Sequence, residues 1–130
     1  MPATNDRRNP GKPINNRELA DDLCAASIAL REVRRRHVKS YGTLIPHVFM
    51  GDVLARIGCC LGDGIAAVAS DSDAEIAAIL EALERGMSAG DRETRNVISL
   101  SFVADGELES FFARLRPRLG PRIGAQVRGR

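Results

Sequence analysis

Leu19, Leu23, Ala26, Leu30, Val33 and His37 recur at alternating spacings of four and three, and no other feature restricts the fold of this chain as much. Residues so spaced share one face of a helix, and an apolar face in water has to be covered. The series predicts one long helix over residues 17–40. Its opposite side carries Asp21, Arg31, Glu32, Arg35 and Lys39, and Gly42 supplies a stop because glycine accepts the left-handed C-terminal conformation.

The same logic continues down the chain. Pro46 suits the first turn of a second helix, where its missing N–H costs nothing. Met50, Val53, Leu54, Ile57 and Leu61 form that helix's stripe, and Gly51 and Gly58, seven residues apart, allow close approach of a neighbour. Gly62, Asp63 and Gly64 end it, and the apolar run at 65–69 reads as a helical turn or as the entry to the next helix. Ser72, Asp73, Ala74 and Glu75 have the pattern of a capping box, in which Ser72 caps a first-turn N–H and Glu75 reaches back. A third stripe follows in Ile76, Ile79, Leu80, Leu83 and Met87, closed by Gly90, and Asp91 offers the next N-cap.

Residues 96–103 are ambiguous. Ile98, Leu100 and Phe102 alternate with Ser99 and Ser101 as in a half-buried strand, whereas Val97, Leu100 and Ala104 share a helical face. Helix is preferred, because Asp91 and Glu93 are start chemistry and a lone strand would have nothing to pair with. A fifth helix over 107–115 would bury Leu108, Phe111, Phe112 and Leu115, with Pro117 as its stop.

Composition agrees with this pattern. Aromatic residues are 4% of the chain with no Trp, so a core of Ala, Leu, Ile and Val has to pack closely, which suits helices. At 130 residues there is material for one core. The expected fold is an all-α, compact single-domain bundle of about five helices. Its helical domain covers 17–117, between a disordered polar tail at 1–16 with only Ile14 as an apolar anchor and a basic, frayed segment at 118–130 with at most a short turn near Pro121 to Gln126.

Chemistry is sparse. Cys24, Cys59 and Cys60 are odd in number, and two are adjacent, which disfavours a disulfide framework and has the wrong spacing for zinc. Both members of the Cys59-Cys60 pair read as small buried packing residues. His47 and Asp52, five apart on one helix, point to different sides and form no catalytic pair. No nucleophile elbow, phosphate loop or acidic metal motif is present, so no enzymatic activity, metal or cofactor is expected. The N-terminus lacks the order of a signal peptide and the apolar run at 65–69 is too short to span a bilayer, so a cytoplasmic protein is expected.

Charge is divided along the chain. Residues 1–41 balance at +4, residues 42–93 at −6 with three bases against nine acids, and residues 94–130 at +4. Arg34, Arg35 and Arg36, with Arg114, Arg116, Arg118, Arg122, Arg128 and Arg130, are the only candidates for nucleic-acid contact, and no aromatics are interleaved among them.

Leu44, Ile45, Pro46 and His47, then Met50, Gly51 and Asp52, with the stretches at 79–86, 88–91 and 96–103, resemble small uncharacterised bacterial proteins of a domain-of-unknown-function family. That family has Leu-Leu-Pro-His and Met-Gly-Asp elements. The resemblance covers residues 40–125 and implies a helical bacterial module with no catalytic residues to carry over. Residues 73–104 also resemble one helical hairpin of HEAT type.

The expected function is non-catalytic protein binding. In its most concrete form the chain is a bacterial immunity protein that neutralises a basic toxin, such as a nuclease, through an acidic face. Asp52, Asp71, Asp73, Glu75, Glu81, Glu84, Asp91 and Glu93, with Asp63, are the residues that would furnish it. The alternative is a nucleic-acid-associated regulator using the arginine clusters.

Overall fold

The computed structural model describes residues 11–62 and 72–128. It is all-α: α1 (Asn16–Ala26), α2 (Ile28–Tyr41), α3 (Pro46–Cys60), α4 (Ser72–Ala89), α5 (Arg92–Val97), α6 (Phe112–Leu115) and α7 (Pro121–Arg128). α5 runs directly into a π-helix, Ile98–Ala104, and α6 into a single 3₁₀ turn. Residues 96–103 are therefore helical, with no strand among the described residues. α4 is central, packing against α1, α3, α7 and the α5/π-helix rod, while α1 holds α2 and α3 abuts the π-helix.

Several helix ends have a local cause. Asn15 and Glu18 form a reciprocal capping box, the Asn15 side chain accepting from the Glu18 N–H (2.8 Å) and Glu18 from the Asn15 N–H (3.0 Å). Pro46 occupies the first turn of α3, and Asp91 caps α5 through the Thr94 N–H at 2.8 Å. Gly42 ends α2 with φ 80°, as its position after the seam predicts.

Four expectations need correcting. The long helix over 17–40 is two helices, because Ser27 is extended (φ −148°, ψ 119°) and caps α2 through the Leu30 N–H. The apolar seam passes straight across this break, so periodicity alone does not register it.

The polar tail at 1–16 is too long. Ile14 is buried in the core, its N–H donates to the Ala89 carbonyl (2.8 Å), and its own carbonyl accepts from the Asp91 N–H (2.9 Å). Residues 11–16 thus belong to the domain, and residues 1–10 lie outside the described part.

The segment at 118–130 is not frayed where it is described. α7 buries Ile123 and Val127 in the core, and its N-terminus is capped from another helix. Glu84 of α4 accepts from the Arg122 N–H (2.8 Å) and the Ile123 N–H (3.2 Å). A carboxylate so placed satisfies two orphan donors and meets the positive end of the helix dipole. Gly120 makes the approach possible, since a Cβ there would sit 2.6 Å from the Glu84 carboxylate.

The expected helix over 107–115 is mostly turns. Phe111, Phe112 and Leu115 are buried, but Leu108 is 85% exposed. Of the two glycines on α3, Gly58 lies against the Phe111 ring, while Gly51 faces open space.

Ile123→Ala should lower the unfolding free energy by about 2–5 kcal/mol in urea titrations. Leu108→Ala should change it by less than about 0.5 kcal/mol. A neutral Ile123 variant would mean that α7 is not part of the cooperative unit.

Candidate partner-binding groove

α4 turns its buried stripe of Ile76, Ile79, Leu80 and Leu83 inward and leaves Asp73, Ala74, Ala77, Glu81, Arg85 and Ser88 exposed. Beside this face runs the segment from Arg118 to Arg122. The two enclose an open groove of about 1070 Å³ with a floor of Ala74, Ala77 and Ala78. Asp73 and Arg118 close one end with an ion pair at 3.0 Å. Glu81 and Arg85 stand one turn apart at 4.0 Å, and Glu84 is held by the α7 N-terminus.

Of the acidic residues expected to share a face, this groove gathers three: Asp73, Glu81 and Glu84. Asp73 and Glu81 are largely exposed, at 77% and 73%. The others are dispersed. Asp52 lies on α3, 3.9 Å from the buried His37 Nδ1. Asp91 is an N-cap, Glu93 stands exposed in the first turn of α5, and Asp63 and Asp71 lie outside the described residues.

Glu75 has a different role from the one its position at a helix start implies. Its carboxylate reaches across to α3 and to the start of α2. It accepts two hydrogen bonds from Arg56 of α3 (2.8 and 2.9 Å) and one from the Ser27 hydroxyl (2.7 Å). The Arg56 guanidinium, aided by Ser27, draws its pKa down to about 2. Beside it, burial first and the neighbouring Glu75 charge second push the Cys60 thiol up to about 11, so it stays protonated. Cys60 and Cys24 are buried; Cys59, expected to be buried as well, is exposed.

Two histidine contacts lie beyond sequence spacing. His37 Nε2 accepts from the Ile45 N–H at 2.9 Å, which leaves the proton on Nδ1, facing Asp52. The ring is buried, its bond to Ile45 ties the end of α2 to the turn before α3, and Nδ1 makes no hydrogen bond among the described residues. His47, at the start of α3, is hydrogen-bonded through Nδ1 to Ser101 of the π-helix, 54 residues away. A hydroxyl and an imidazole in contact are the beginning of a nucleophile and base pair, but no carboxylate orients the ring among the described residues. The contact ties the π-helix to α3.

The arginine clusters are partly consumed within the fold. Arg34 pairs with Asp21 (2.6 Å), Arg35 and Arg36 share Glu32, and Arg118 pairs with Asp73. Among the described residues no three His, Cys, Asp or Glu side chains are grouped to hold a metal, and no helix is long and apolar enough to cross a membrane. No family model matches the chain, and neither a curated protein nor a solved structure matches it.

Glu75 makes stability acid-sensitive in a definite window. Its folded pKa lies below its ordinary value of 4.5, so its contribution is fully present above about pH 4.5 and lost as pH falls through about 2. Glu75→Gln should lower the melting temperature at neutral pH and flatten its decline between those limits. A variant with the parent's acid limb would show that other carboxylates govern it.

Proposed function

We propose that the protein is a binding module that receives a helical segment of a protein partner in the groove along α4. The observation that carries this reading is the groove's construction: three alanines at positions i, i+3 and i+4 floor it, and exposed Asp73 and Glu81 stand at its edge. Small floor residues let a second helix come close, so its apolar side chains can be buried while polar residues form a rim.

Neutralisation of a basic toxin by an immunity-type protein is the specific form favoured by the acidic central segment. Asp73 and Glu81, both largely exposed, are the carboxylates that would meet such a partner. Arg85, Arg118 and Arg122 also line the groove, so shape supports the reading more than net charge does. Apolar contact would then supply most of the affinity, with the acids adjusting encounter rate.

Tagged protein should recover a partner from its native cells in a one-to-one complex. Ala77→Trp, which fills the floor from an exposed position, should abolish that complex without moving the melting temperature. Glu81→Lys should slow association with a basic partner at low salt and have little effect at high salt. Retention of the complex by Ala77→Trp would exclude the groove as the contact surface.

A further inference from the structure

α2 carries a second surface that the α4 groove does not use. Its buried side is Leu30 and His37, with Val33 packed against the core. On the opposite side Ile28, Arg31, Arg35 and Val38 follow one another at spacings of three, four and three, which places them in one row over three turns, about 15 Å long. Ile28 is 78% exposed and Val38 39%. These residues, with Glu32 and Arg34, border a shallow concavity of about 470 Å³. A second concavity of about 620 Å³ begins at the same Arg34 and Val38 and continues past Thr43 to Pro46.

The charge on this row is positive and incompletely countered. Arg34 has Asp21, and Glu32 serves both Arg35 and Arg36. Arg31 and Lys39 have no carboxylate in salt-bridge range among the described residues. Apolar side chains thus stand at both ends of a row of cations.

We infer that the outer face of α2 is a docking site for an acidic amphipathic helix of a partner protein. Such a helix would set aliphatic residues on Ile28 and Val38 and carboxylates opposite Arg31, Arg35 and Lys39. A row of basic residues with an apolar residue at each end selects this occupant. A nucleic acid would neutralise the cations but leave Ile28 without an apolar contact. A bilayer calls for apolar and basic residues on separate faces, and here they share one. A helix with a leucine seam and flanking glutamates satisfies both at once.

The probe is a fluorescein-labelled peptide of about three heptads, with Leu at the a and d positions and Glu beside them. Its anisotropy is titrated with the full chain. A peptide of equal charge with every Leu replaced by Ser, a duplex DNA and phosphatidylglycerol vesicles serve as the other arms. The leucine peptide should bind, and Ile28→Ser and Arg31→Glu should each weaken it by about tenfold or more. Both positions are exposed, so folding should be unaffected, and Lys39→Glu provides a third, independent variant. Ala77→Trp should leave this binding unchanged, which separates it from the α4 groove. Equal binding of the leucine-free peptide, indifference to Ile28→Ser, or binding of only DNA or vesicles would overturn the inference.

Discussion

The carboxylate of Glu75 is the point at which the helices agree on their positions. It belongs to α4, takes both arms of an arginine on α3, and takes the hydroxyl that caps α2. Its side chain is 19% exposed and that of Arg56 35%, so both charges have given up much of their hydration and rely on each other for its replacement. The Ser27 hydroxyl works in two directions, donating to Glu75 and accepting from the Leu30 N–H. That double duty favours the break between α1 and α2. Continuing the helix through Ser27 would forfeit a cap worth about 1 kcal/mol. It would also leave a half-buried carboxylate short of a donor, at about 1–3 kcal/mol. Against these stand the first-turn N–H groups of α2 that a break leaves without intrahelical partners, of which the Ser27 hydroxyl satisfies that of Leu30.

Features governed by neighbouring residues were legible in the sequence. Stripes at three and four predicted the buried faces of α1 to α4, and Gly42, Pro46 and Asp91 marked helix ends by chemistry that acts within a few residues. What escaped reading depends on partners distant in sequence. Nothing near Pro121 announces that Glu84 caps α7, and nothing near Ser27 announces Glu75. In residues 1–16 the sequence shows Ile14 as the one clear apolar anchor, but nothing nearby announces that its backbone pairs with Ala89 and Asp91.

Residues 98–104 show a subtler limit. A π-helix sets residues four and five apart on one face, so Ile98, Phe102 and Val103 are buried together while Leu100 is exposed. That arrangement fits neither a period of two nor one of about 3.6, and the mixed pattern made the segment resemble a strand. The wider turn also carries Ser101 to His47. Of the groove, the acids on α4 were visible in the sequence. Its second wall was not, because that wall exists only once α7 is docked.

The alternation of charge along the chain records this docking. Asp73 meets Arg118 and Glu84 meets the α7 N-terminus, so the acidic centre receives the basic C-terminal segment. The ion pair is worth at most about 1 kcal/mol. Burial of Ile123 and Val127 is worth about 1.5–3 kcal/mol each, so apolar contact holds α7 and charge sets where along α4 it lies. Glu84 is thereby withdrawn from any partner, while Asp73 keeps most of its side chain exposed. The charge on α2 that is unopposed among the described residues, at Arg31 and Lys39, has the opposite sign to the segment richest in net charge. Runs of charge in a sequence therefore indicate which segments of the chain attract one another, and the surface left for a partner appears only after those attractions have been subtracted.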